Sequence, residues 1–76
     1  MIEDILAIVA EQFPDGKDSL NSESDLYELG LDSTSAIELM VALESRFGIS
    51  FPDSLIDEST FATPGALQKA IASVLG

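Results

Sequence analysis

The chain contains no cysteine and no histidine, and it has only three basic residues, Lys17, Arg46 and Lys69. Without cysteine, no disulfide can staple the fold and no thiolate can bind a metal. Without histidine, the usual general base, proton shuttle and metal ligand near neutral pH is missing. The sequence also lacks any stretch of about 20 apolar residues and any basic leader followed by an apolar run. The expected location is therefore the cytoplasm, with no membrane partner.

Fourteen acids stand against the three bases, for a formal net charge of −11. A surface this acidic repels nucleic-acid phosphates and anionic membranes, and attracts partners with basic patches. Acidity alone can signal disorder. Here 46% of the residues are hydrophobic, and they recur with helical spacing. The 76 residues fit one small domain, 1–76, expected to be monomeric.

Ile2, Ile5, Leu6, Val9 and Phe13 follow the spacing of one helical face. They predict a first helix over about residues 2–13, stopped by Pro14, Asp15 and Gly16. A long polar connection follows, 14–32, in which Leu20, Leu26, Tyr27 and Leu29 are expected to pin the loop to the core. Its last turn is expected to end at Gly30 in a left-handed conformation. A second helix is predicted from Ser33 to Phe47, with Asp32 as its cap and Gly48 as its stop. Ile49 and Phe51 alternate, which leaves room for a very short strand, although Pro52 argues against it. Asp53 is expected to cap a brief helix over 54–58. Thr63 and Pro64 open a last helix that should bury Leu67, Ile71, Val74 and Leu75. The predicted fold is all-α, a small bundle of three longer helices and one short one.

On the second helix, Ala36, Leu39, Met40, Leu43 and Phe47 share roughly 100° of arc and form the core stripe. Thr34, Ile37, Glu38, Val41, Glu44 and Ser45 lie opposite. Ile37 and Val41, flanked by Glu38 and Glu44, make a small apolar patch framed by acids, suited to docking a basic partner. They equally fit single exposed apolar residues with no role.

At the start of this helix stand three hydroxyls, Ser33, Thr34 and Ser35. Residues of this kind cap helices. Ser33 is also an accessible hydroxyl at a helix N-terminus, where free N–H groups and the helix dipole favour a phosphate. A catalytic serine needs a base and an oxyanion stabiliser, and no base is evident here. The acids of 18–25 do not fit a helix–loop–helix calcium site, because Leu20 stands where an oxygen ligand is required.

The stretch ELGLDSTSAIELMVALESRFGISFPD resembles the core of acyl carrier and peptidyl carrier proteins. Leu29, Gly30, Asp32, Ser33, Glu38, Leu39, Phe47 and Pro52 match the family pattern in order, and the likeness extends over nearly the whole chain. The resemblance implies that Ser33 carries 4′-phosphopantetheine, installed from coenzyme A by a phosphopantetheinyl transferase, with Asp32 helping to place the magnesium. It implies a carrier rather than an enzyme, holding an acyl or aminoacyl group as a thioester and delivering it from a loading ligase or acyltransferase to a downstream synthase. By the same resemblance Thr34, Ile37, Glu38, Val41 and Glu44 would touch those partners. Thr34 stands where the family usually has a bulky aliphatic residue, and Ser35 where many fatty-acid carriers have an acid. The departure at Thr34 suggests a dedicated partner set outside central fatty-acid synthesis, and the one at Ser35 loosens the match at the rim of the site. A pocket for the cargo, if there is one, is expected between the helices, lined by Leu43, Phe51, Leu55, Ile56 and Phe61; for a small cargo the same residues fit a plain core at least as well. The alternative reading is an unmodified acidic interaction module that uses the same exposed face.

Overall fold

Three α-helices carry the chain: α1 (Ile2–Gln12), α2 (Ser33–Phe47) and α3 (Pro64–Leu75). The computed structural model describes residues 1–76, apart from the side chain of Lys17. α1 packs against both α2 and α3. Ile5 and Val9 of α1, Leu39 and Leu43 of α2, and Leu67 and Ile71 of α3 are fully buried between them. Among the described residues there is no strand, and no helix is long and apolar enough to cross a membrane.

α1 ends at Gln12, with Phe13 as its cap. The predicted stop is correct in place, but the chain beyond it is not simply irregular. Pro14–Ser19 forms a 3₁₀ segment, which a proline tolerates at its first position because that N–H would be unpaired anyway. Leu26 is fully buried, and Leu20 and Leu29 pack against the core, as expected. Tyr27 does not join them; it is 39% exposed.

Gly30 has φ 115°, a conformation that a side chain would strain. That turn lets Leu31 bury itself while Asp32 emerges to start α2. α2 spans Ser33–Phe47 as predicted, and Gly48 closes it in the left-handed region.

The short helix predicted over 54–58 is a single 3₁₀ turn, Asp53–Leu55, and Asp53 lies inside it rather than capping it. Three residues give too few hydrogen bonds to propagate an α-helix. No strand forms at Ile49–Phe51. The Phe51 N–H instead binds the Glu44 carboxylate, at 2.8 Å. Phe51 and Phe61 bury their rings against each other, with centroids 5.9 Å apart.

α3 begins as predicted. Thr63 Oγ1 accepts from the Ala66 N–H at 3.0 Å, and Pro64 occupies the first turn. Leu67 and Ile71 are buried, but Leu75 is 52% exposed. It is the last helical residue and lies about 80° round the wheel from Leu67, on the edge of the buried face.

Two hydrogen bonds tie the first loop to the end of the connector ahead of α3 and to the first turn of α3 itself. Leu26 N–H donates to the Ala62 carbonyl at 2.9 Å, and Gly65 N–H donates to the Ser22 carbonyl at 2.8 Å. A third link, between Tyr27 and Glu58, bears on the site.

Candidate functional site

The first turn of α2 is organised by a reciprocal pair. Asp32 Oδ1 accepts from the Ser35 N–H at 2.8 Å, and Ser35 Oγ accepts from the Asp32 N–H at 2.9 Å. This is a capping box, which satisfies two backbone donors at once. A serine takes the third helical position, usually held by Glu or Gln. The Ser35 hydroxyl also lies 3.1 Å from Asp32 Oδ1. The Ser35 N–H, and then its hydroxyl, hold the Asp32 carboxyl below the usual carboxylate range.

The three hydroxyls are therefore not equivalent. Ser35 is engaged within the cap and half-buried. Ser33 and Thr34 are exposed, and their hydroxyls make no hydrogen bond among the described residues. Ser33 stands at the first helical position, beside N–H groups that have no intrahelical partner.

An apolar groove of about 430 Å³ opens beside Ser33. On its α2 side stand Ala36, Ile37 and Met40; on the other side are Ile56, Phe61 and Tyr27. Leu31, just ahead of the cap, also lines it, and Asp32, Asp57 and Glu58 contribute acids. Leu31 and Ala36 occupy the two positions at which apolar residues commonly bracket a helix start.

The sequence expectation for a cargo pocket is only partly met. Ile56 and Phe61 line the groove, but Leu43 and Phe51 are core residues, and Leu55 faces a separate depression near Lys69 and Ser73. Tyr27, Asp57 and Glu58 were not anticipated there. Tyr27 is the chain's one tyrosine, and its place in a polar loop was the signal that could have marked it.

The Tyr27 hydroxyl donates to the Glu58 carbonyl at 3.0 Å, across 31 residues of sequence. Burial, followed by the charges of Glu58, Asp57 and Asp25, pushes its phenol above the ordinary value. Asp57 Oδ1 accepts from the Thr60 N–H at 2.9 Å and from the Ser59 hydroxyl at 2.8 Å. Those bonds, the Thr60 N–H first, hold the Asp57 carboxyl low.

On the outward face of α2, Ile37 is 59% and Val41 54% exposed, and Thr34 and Glu38 are exposed beside them. Glu44 differs. It is half-buried, and its carboxylate is occupied by the Phe51 N–H.

An exposed serine hydroxyl at a helix N-terminus, continuous with an apolar groove, fits a phosphopantetheine group. Ser33 would hold the phosphoester, and Leu31, Ile37, Met40, Ile56 and Phe61 would flank the arm. When bound, the group supplies a terminal thiol that carries an acyl group as a thioester, in a chain without cysteine.

The comparisons with known proteins agree. The profile of the family described as "Phosphopantetheine attachment site" matches residues 3–71. The aminoacyl carrier protein of Agrobacterium fabrum is 36% identical over 74 residues, 97% of this chain and 88% of that protein. An acyl carrier protein of Campylobacter jejuni subsp. doylei is 43% identical over 53 residues, 68% of this chain and 69% of that protein. The fold superposes with a TM-score of 0.85 and 35% identity on a chain from the crystal structure of an engineered Bradyrhizobium japonicum glycine:[carrier protein] ligase complexed with carrier protein from Agrobacterium tumefaciens and AMP. The match covers 95% of this chain and 99% of that one. The chain belongs to the phosphopantetheine-bearing family of acyl and aminoacyl carrier proteins.

Proposed function

We propose that residues 1–76 act as a single carrier domain that bears the phosphopantetheine arm on Ser33 and carries an amino acid as its cargo. The observation that supports the cargo class is the likeness, over 97% of this chain, to an aminoacyl carrier protein. The similar fold of a carrier seen with a glycine:[carrier protein] ligase supports it too. The partner set is then a phosphopantetheinyl transferase, a ligase that loads a small amino acid, and a downstream enzyme with a basic docking patch, all in the cytoplasm. Thr34, Ile37, Glu38 and Val41 form the docking face. Asp32 assists the transferase in placing magnesium, and Ser35 serves the helix rather than the arm.

The electrostatics of the groove favour this cargo over an anionic one. Among the described residues, its lining holds three acids and no base. An aminoacyl group brings an ammonium to that rim, whereas a dicarboxylic acyl group would bring a second negative charge.

Intact-mass measurement tests the attachment. The apo protein is incubated with coenzyme A, magnesium and a broad-specificity transferase. The expected result is a gain of one phosphopantetheine, lost in Ser33→Ala and kept in Ser35→Ala. The holo protein is then offered glycine, ATP and a glycine:[carrier protein] ligase, and an aminoacyl adduct is expected. An arm that persists in Ser33→Ala would overturn the site assignment. A holo protein that takes only fatty acyl groups from their own ligase would overturn the cargo.

A further inference from the structure

We propose that Glu58 is a specificity-determining residue of this carrier: its carboxylate, on the wall of the groove beside Ser33, receives the ammonium of the aminoacyl cargo. The proposal rests on Ser33 bearing an arm loaded with an amino acid, and deepens that reading by assigning the group that meets the charged end.

The three acids of the groove differ in what their carboxylates already hold. Asp32 Oδ1 accepts from the Ser35 N–H at 2.8 Å and lies 3.1 Å from the Ser35 hydroxyl. Asp57 Oδ1 accepts from the Thr60 N–H at 2.9 Å and from the Ser59 hydroxyl at 2.8 Å. Both are committed to donors of their own segment, and such bonds already answer part of a carboxylate's charge. Among the described residues, the Glu58 carboxylate accepts no hydrogen bond and joins no ion pair; only its backbone carbonyl is engaged.

The main chain at Glu58 is well held. Its carbonyl accepts from the Tyr27 hydroxyl at 3.0 Å. Tyr27 follows the fully buried Leu26, whose N–H donates to the Ala62 carbonyl. Just beyond Glu58, Thr60 and Phe61 are buried. Glu58 thus combines a fixed backbone with an exposed, uncommitted carboxylate.

Its surroundings are apolar: Ile37, Met40, Ile56, Phe61 and the Tyr27 ring share the lining with it. A carboxylate beside apolar walls is less screened than one surrounded by water, and so attracts a cation more strongly. The arm starts at Ser33 in the same groove, and that tether keeps the cargo ammonium at high effective concentration near the wall. The described cations do not compete. Arg46 pairs with Asp4 at 2.9 Å, and Lys69 lines the separate depression. A neutral acyl group gains nothing from Glu58, and one that ends in a carboxylate is repelled, so the residue ranks cargo by charge.

The proton affinity of the cargo's own amine reads this out, because a carboxylate beside it makes the ammonium hold its proton more tightly. Wild type, Glu58→Gln and Glu11→Gln are loaded by a transferase with an isotope-labelled glycyl arm, in which an amide replaces the thioester so that it survives the titration. Mass confirms loading at Ser33, and the amine is titrated by NMR at physiological salt. Glu58→Gln keeps the carbonyl that Tyr27 holds. It should weaken the proton affinity of the ammonium about threefold, the scale of an exposed ion pair. Glu11→Gln removes the same formal charge from α1, outside the groove, and should change it far less, because salt screens a distant charge. A change in Glu58→Gln no larger than that in Glu11→Gln overturns the role of Glu58 alone, as when Asp32 or Asp57 receives the ammonium instead. A wild-type protein that takes no arm at Ser33, or whose holo form takes no amino acid from a glycine:[carrier protein] ligase, overturns the underlying reading and this proposal together.

Discussion

The Glu44 carboxylate accepts a hydrogen bond from the backbone N–H of Phe51, at 2.8 Å. This joins the last turn of α2 to the connector that follows it, and it takes Glu44 away from the free rim of the docking face. Glu44→Ala leaves the partly buried Phe51 N–H without its acceptor, at a cost of about 1–3 kcal/mol. Glu44→Gln keeps an acceptor oxygen and should cost less. Urea unfolding of the two variants separates these outcomes. Equal stability of wild type and Glu44→Ala would mean that the bond contributes nothing and Glu44 is free to dock.

Val41 and Leu43 are two residues apart on α2 and should respond in opposite ways. Val41 is 54% exposed and Leu43 fully buried. Val41→Asp should change stability by no more than about 0.5 kcal/mol, while weakening binding of the holo protein to its loading ligase. Leu43→Ala should cost about 2–5 kcal/mol through the cavity it leaves. Thermal melts and a binding titration on the same samples provide the comparison. A large drop in Tm for Val41→Asp would place that side chain in the core.

The cap of α2 should make stability depend on acid pH. The Asp32 carboxyl is held low in the folded state, by the Ser35 N–H first and then by the Ser35 hydroxyl. The unfolded chain has an ordinary aspartate, near 3.9. A depressed folded value means that the stabilisation is complete above the unfolded pKa and is lost as pH falls through the folded one. The urea midpoint should therefore carry a component that declines below about pH 4. Asparagine caps helices nearly as well as aspartate, so Asp32→Asn should be close to wild type at neutral pH and lack that component. Identical pH profiles for the two proteins would refute the assignment.

Gly65 sits where a side chain has no room. A Cβ there would lie 2.9 Å from the Ser22 carbonyl oxygen, the same oxygen that accepts the Gly65 N–H. Gly65→Ala must push the first loop off the first turn of α3. The expected cost is about 1–3 kcal/mol, the range for overpacking, or roughly 4–8 °C of Tm for each kcal/mol in a domain of this size. A variant that melts with wild type would show that this loop contact yields freely.

The helices and their ends were legible because each signal is local. Apolar spacing, the Asp32 and Thr63 caps, Pro64 and Gly48 act over three or four residues, within one helical turn. They placed α2 to the residue. The hydroxyl at Ser33 was legible for the same reason, as were the exposed Ile37 and Val41. Less was legible between helices. A single tyrosine in a polar loop reads as a pin for the core, yet Tyr27 stands exposed. A glutamate on the outer arc of a wheel reads as free, yet Glu44 is bound.

The sequence by itself determined an acidic scaffold of three longer helices with an accessible serine at the mouth of the second, because those features depend on neighbours along one turn. Tertiary structure alone decided which side chains line the groove, what Glu44 does and where Tyr27 points. Those outcomes depend on bonds between segments far apart in the chain, Ser22 to Gly65, Leu26 to Ala62 and Tyr27 to Glu58. Such pairings leave no periodicity to read, since loop closure is governed by chain entropy and by whichever backbone groups the packed helices leave unpaired.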